Sequence, residues 1–203
     1  MIKLYDFPLS GHAHRVRLML SLLGLDYETV HVDLAAGEHK RDDFLALNPF
    51  GVVPVLVDGN TVLRESAAIL VYLARTYGPE WHGASPAEEA EVQAWLATAT
   101  RDIPAAPGAA RLVTVFNAAL DHDALIKKSH ELLATIDGHL EGREWLALER
   151  PTIADVAAYS YIAHAPEGLV ALDDYANVQH WLANVRALPR FVAMPATDIP
   201  TAA

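Results

Sequence analysis

Glu65 and Ser66 set a carboxylate beside a hydroxyl where a helix should begin, since apolar residues follow at Ile69, Leu70 and Leu73. The stretch before them runs Asn48-Pro-Phe-Gly-Val-Val-Pro-Val-Leu-Val-Asp-Gly-Asn60. Pro49 and Gly51 break any preceding helix, and Val52 to Val57 form a β-branched run interrupted by Pro54 and Leu56. A proline donates no ladder hydrogen bond, so Pro54 belongs at a sheet edge or a strand start. A cis bond there would turn the Val53 peptide outward and leave its N–H and C=O for an outside partner. Asp58-Gly59 signals a two-residue hairpin between Val52–Val57 and Thr61–Leu63. An exposed backbone edge close to a helix N-terminus that carries Glu65 and Ser66 suits a small extended peptide with a free carboxylate and a free amine.

Asn48-Pro-Phe-Gly-x-Val-Pro-Val-Leu, the Asp-Gly hairpin and Glu65-Ser66-x-x-Ile69, in that order, resemble the glutathione site of cytosolic glutathione transferases. The resemblance covers nearly the whole chain, Pro151-Thr-Ile-Ala-Asp155 included, and suggests a bacterial member of the serine type. It implies a thioredoxin-like N-terminal domain over residues 1–78, a linker over 79–86 and an all-helical domain over 87–203. It also implies glutathione as co-substrate, an apolar electrophile as second substrate, and a homodimer. Glu65 would meet the γ-glutamyl ammonium and Ser66, with its helix N–H, the carboxylate; the competing reading of Ser66 is a helix cap. Val53 and Pro54 would supply the peptide-like edge. His39 and Lys40 resemble the pair that meets the glycine carboxylate, against the alternative of a solvated basic surface. Val52 departs from the glutamine often found there, which leaves more of the binding to the Val53 main chain.

A free thiol has a pKa near ~8.5, so an enzyme using glutathione must form the thiolate. Ser10 lies between the first strand and the first helix, where its hydroxyl can donate to a sulfur at the helix N-terminus, aided by the Gly11 and His12 amides. Such a setting could lower the thiol pKa by roughly 1 to 2. The alternative is that Ser10 only caps its helix. Tyr5, the rival hydroxyl, falls inside the strand, where packing is the expected role. His12 stands where related sequences have asparagine; it either bonds the ligand or covers the helix start. Phe7, Leu9, Arg111 and His164 are the candidate lining of the electrophile pocket, although Arg111 and His164 also fit surface or satisfied core positions. The four tryptophans read as core.

Composition narrows the classes further. The 203 residues are 52% hydrophobic, enough for a sizeable core. A formal net charge of −11 argues against nucleic-acid or anionic-membrane partners. With no cysteine there is no protein-thiol nucleophile and no disulfide. His12 and His14 are two apart and share no helix face, and no His-Glu-x-x-His pattern occurs, so no metal site is expected. The N-terminus reads as a strand rather than a signal peptide, and no apolar run reaches the ~20 residues that span a bilayer, so a cytoplasmic protein is expected. No Gly-x-Ser-x-Gly elbow or phosphate loop supports a hydrolase or nucleotide reading. Glutathione-dependent disulfide or peroxide reduction, and a non-catalytic protein on the same fold, are the alternative functions.

The elements that must position these groups follow from periodicity. Ile2–Asp6 reads as a strand, residues 12–23 as a helix stopped by Gly24, and Tyr27–Val32 as a parallel second strand. Asp42–Leu47 and Ser66–Tyr77 read as helices around the proline hairpin. Beyond Gly83-Ala-Ser-Pro86 only helices are expected: Ala87–Thr100, ended or kinked by Pro104 and Pro107; Asp121–Leu140; one opened by the Thr152/Asp155 capping box to about Ala163; and Ala176–Leu188. The Pro/Ala/Thr-rich tail after Met194 is expected to be loose.

Overall fold

A computed structural model of the chain describes residues 1–198. Strand β1 (Ile2–Asp6) alternates buried and half-buried positions and turns Ile2, Leu4 and Asp6 inward. Helix α1 (Gly11–Leu22) crosses back to β2 (Tyr27–His31), which pairs parallel with β1. Short α2 (Asp42–Leu47) precedes an antiparallel hairpin of β3 (Val55–Asp58) and β4 (Thr61–Arg64), and α3 (Ser66–Tyr77) follows. The sheet order is β2-β1-β3-β4, with β1 and β3 antiparallel. Helices α4 (Pro86–Arg101), α5 (Ala109–Phe116), α6 (His122–His139), α7 (Ile153–Ala163) and α8 (Ala176–Arg186) make up the rest. This is the expected mixed four-stranded sheet followed by a helical bundle.

Three local expectations change. The strand starts at Val55 rather than Val52, because Pro54 has no N–H for the ladder; the Val53–Pro54 peptide bond is cis. Asp58 pairs with Thr61, so the hairpin loop is Gly59-Asn60, one residue later than expected. Only Gly59 of the two has positive φ, 58°, as in a type II′ turn. Helix α5 was not expected at all. Its eight residues follow a wide turn through Pro104 and Pro107, and no capping side chain announces it. The segment after Met194 is irregular as far as Asp198, and the remainder of the expected loose tail lies outside the described residues.

One core runs through both parts of the molecule. It joins Leu4 and Leu56 of the sheet to Val16 of α1, Leu70 of α3, Leu96 of α4 and Trp181 of α8. Helix α7 sits at its centre, with every residue from Ile153 to Ile162 buried, as befits a helix apolar on all sides. A smaller cluster of Val32, Phe44, Val53 and Val55 fills the space under α2. The start of α7 is secured by Asp155, which accepts from Thr152 N–H (2.8 Å), Leu146 N–H (2.9 Å) and Trp181 Nε1–H (2.9 Å). Stranding any of these buried donors costs about 1–3 kcal/mol. No helix among the described residues is long and apolar enough to cross a membrane.

The C-terminal segment is fastened across α1. Ser21 donates to the Arg190 carbonyl (2.7 Å), and the fully buried His14 donates from Nε2 to the Val192 carbonyl while Nδ1 accepts from the Ser160 hydroxyl, both at 2.8 Å. Burial lowers the His14 pKa to about 4, against the Val192 carbonyl, which favours the protonated ring. That folded value lies below the 6.5 of an unperturbed histidine, so the unfolded chain takes up the proton first. The contribution is whole above pH 6.5 and is lost as the pH falls toward 4. Urea midpoints should therefore reveal a loss of about 2 kcal/mol through this group between pH 7 and pH 5. His14→Gln, which cannot titrate, should lose correspondingly less over the same interval.

Candidate functional site

Two helix N-termini meet at the site. Ser10 takes extended backbone angles (φ −80°, ψ 116°) and caps α1, its Oγ accepting from Ala13 N–H at 3.2 Å. A hydroxyl has one proton and two lone pairs, so capping uses an acceptor and leaves the O–H to donate outward. Ser10 lines a cavity of about 350 Å³ together with Phe7, Leu9, Arg111, Phe116 and Tyr161. Four of the residues picked from the sequence are thus brought together.

His164 is not among the residues lining this cavity; its ring meets the Glu167 carboxylate, Nδ1 to Oε1 2.7 Å. Arg111 is itself buried: Nε donates to the same carboxylate and Nη1 to the Leu9 carbonyl at 3.0 Å. The guanidinium thereby holds the loop that ends in Ser10 against the helical part. Tyr5 lies elsewhere, edge-on to Phe44 (6.1 Å between centroids), in a packing position.

The second N-terminus is that of α3. Here Glu65, rather than Ser66, is the residue before the helix, and no side chain caps it. The first-turn amides of α3 thus have no side-chain cap, and a helix start of this kind suits an anion. Glu65 itself is held at φ 68°, ψ 113°, a costly conformation for a residue with a Cβ and one that concentrates at ligand-binding positions. Its side chain is exposed, whereas Ser66 is buried. Among the described residues neither the N–H nor the C=O of Val53 has a hydrogen-bond partner. Lys40 donates to the Gly51 carbonyl at 2.9 Å, and the buried Nδ1 of His39 has no partner among the described residues.

His12 joins the two N-termini. Its Nδ1 accepts from Arg15 Nη1 at 2.9 Å and lies 3.4 Å from Ser66 Oγ. Burial, then the Arg15 charge, lowers its pKa to about 3, so the ring is neutral. Its ring also meets Tyr161 edge-on at 5.2 Å. Sequence reasoning missed Arg15, Phe116 and Tyr161. For Arg15 the signal was there, since it is three residues from His12 and shares its helix face. Phe116 was hidden with α5, and Tyr161 lay in an apolar run that read only as core. Among the described residues no three histidine or carboxylate side chains are grouped to hold a metal.

The family model described as glutathione S-transferase, N-terminal domain, matches residues 1–75, and the one described as glutathione S-transferase, C-terminal domain, matches residues 104–189. Glutathione S-transferase 3 of Zea mays is 39% identical over 165 residues, covering 76% of this chain and 73% of its own. A glutathione S-transferase structure from Pseudomonas fluorescens superposes with a TM-score of 0.90 at 32% identity, covering 95% of this chain and 98% of that one. A glutathione transferase structure from Pseudomonas putida, with one glutathione disulfide bound per subunit, gives 0.84 at 29% identity over 93% and 88% of the two chains. Both family models match in order, and the maize relative is covered over more than two thirds of its length. This chain belongs to the glutathione S-transferase family.

Proposed function

We propose that the protein is a serine-type glutathione transferase of bacterial kind, in which Ser10 holds glutathione as the thiolate for attack on an apolar electrophile. The observation that carries the reading is the free O–H of Ser10, at the N-terminus of α1 and on the wall of an apolar cavity, with His12 of the same helix 3.4 Å from Ser66 at the uncapped start of α3. The glutathione disulfide bound in the Pseudomonas putida neighbour supports the choice of ligand.

Residues 1–78 would hold the tripeptide, and residues 87–203 would close the electrophile side of the cavity. Glu65 would take the γ-glutamyl ammonium, and Ser66 with the α3 amides the neighbouring carboxylate. The unpaired Val53 main chain, next to Pro54, would pair with the cysteinyl backbone. His39 and Lys40 would reach the glycine carboxylate, for which Lys40 must exchange its bond to the Gly51 carbonyl. The sulfur would then lie at the start of α1, stabilised by Ser10 O–H and the adjacent amides. Phe7, Leu9 and Phe116 would exclude water around the electrophile, with Arg111 at the cavity wall.

A second reading, glutathione-dependent reduction of disulfides or peroxides, is favoured by the glutathione disulfide in the Pseudomonas putida neighbour. Purified protein assayed in parallel with an aryl halide, a hydroperoxide and a mixed disulfide separates the two. We also propose a homodimer, to which exposed Phe50, Val52 and Val62 offer an apolar surface.

Three measurements follow. Glutathione should raise the melting temperature, and Glu65→Ala should abolish most of that shift while changing the unliganded melt little. Normal binding by Glu65→Ala would remove the site assignment. Ser10→Ala should leave glutathione affinity within a few-fold but raise the bound thiol pKa and cut turnover at neutral pH by roughly 10- to 1000-fold, with partial recovery at higher pH. A cap-only serine predicts about 1 kcal/mol of lost stability and an unmoved thiolate titration by absorbance. Sedimentation at micromolar concentration should give a dimer; a monomer there contradicts the assembly.

A further inference from the structure

Arg15 lies on α1, facing away from water so completely that its exposure is 0%. Other arginines near it have acidic partners: Arg17 pairs with Asp6 at 2.5 Å, and Arg111 with Glu167. Among the described residues Arg15 pairs with no carboxylate. Its Nη1 donates to His12 Nδ1 (2.9 Å) and Ser66 Oγ (3.3 Å), and its Nη2 to the Ala99 carbonyl (2.6 Å). The guanidinium also lies 5.5 Å from the centre of the Tyr161 ring, and its Nε is buried without a partner among the described residues. Every contact is to a neutral group. Burial pulls its pKa down to about 10, so it carries a full positive charge at neutral pH. A buried charge without a counter-charge is strongly unfavourable, and it persists in a fold where an anion is to be bound beside it.

The bond directions say where that anion goes. A guanidinium only donates, so all three groups it hydrogen-bonds must accept. His12 accepts at Nδ1, which places its single ring proton on Nε2. Ser66 accepts at Oγ, which keeps its own O–H a donor; its one neighbour for that proton is His12 Nδ1 at 3.4 Å, already taken by Arg15 at 2.9 Å, so the O–H can turn to a ligand. Arg15 thus turns a histidine and a serine into donors at the N-terminus of α3, where the amides are already donors.

We infer that Arg15 is the buried counter-charge and positioning residue for the ligand carboxylate bound at Ser66, setting Ser66 and His12 as donors toward it. The inference rests on the proposed placing of the γ-glutamyl carboxylate there. The competing role is that of a strut, tying α1 to α4 through the Ala99 carbonyl.

Calorimetric titration with S-methylglutathione, which has no thiol to ionise, isolates the carboxylate. Arg15→Met keeps much of the volume without the charge and should weaken this ligand by roughly 10- to 100-fold. The same variant should weaken an analogue lacking the γ-glutamyl α-carboxylate by less than about 3-fold, and Arg15→Lys should recover part of the loss for the full ligand. Equal losses for both ligands, or unchanged affinity with a lowered unliganded urea midpoint, would leave Arg15 a strut and overturn the inference. If Arg15→Met does not fold, Arg15→Lys is compared against the two ligands in the same way. Nitrogen-15 shifts of wild-type His12 at pH 7 give an independent check. They should report the Nε2–H tautomer, and an Nδ1–H ring refutes the arrangement. A wild-type protein that binds neither glutathione nor S-methylglutathione removes the proposed function itself. Wild-type binding with no discrimination by Arg15→Met removes only the role of Arg15.

Discussion

The approach of α1 to α7 is the constraint on which the rest of the site depends. A Cβ at Gly11 would come within 2.7 Å of the Tyr161 ring, so the two helices touch at a distance only glycine permits. Because α7 is buried on every side, it cannot yield, and α1 is placed by it. That contact sets Ser10 and Tyr161 on the same cavity, lays Arg15 beside the Tyr161 ring and brings His12 edge-on to it. Burial of the same tyrosine pushes its hydroxyl pKa up, and it stays protonated beside the amides of Gly11 and His12.

The site is also an electrostatic exception within the molecule. A chain of net charge −11 repels anions at long range, yet here it gathers groups that donate hydrogen bonds. The means are local and mostly fixed by the backbone: the amides at the start of α1 and α3, the hydroxyls of Ser10 and Ser66, and a guanidinium hidden behind them. Preset donors of this kind need little reorganisation when charge arrives, which is why they suit thiolate formation. The positive-φ backbone of Glu65 sets an exposed carboxylate next to the start of α3, the arrangement on which the proposed ammonium and carboxylate contacts rest.

Arg111 and Glu167 do comparable work on the opposite wall. The ion pair is buried, and its second oxygen accepts from the Thr197 amide at 2.9 Å as well as meeting His164. One carboxylate therefore connects the C-terminal segment, the end of α7 and, through Arg111, the loop that carries Ser10.

Local chemistry determined much of this protein before any tertiary contact. Pro54 located the start of β3, Thr152 and Asp155 opened α7, and the ordered motifs from Asn48 to Ile69 indicated a peptide-binding edge beside a helix N-terminus. Proline geometry, capping and short-range periodicity act between residues close in sequence, so they are legible there. Packing decided the rest. Whether Arg15 faces water or a buried serine depends on α3 and α4, far away in the chain. Whether His164 reaches the cavity depends on Glu167 capturing its ring, and α5 starts without a capping side chain, straight out of the turn through Pro104 and Pro107. Burial is a property of what lies across a contact, and a charge or an aromatic ring acquires its role only when that partner is in place.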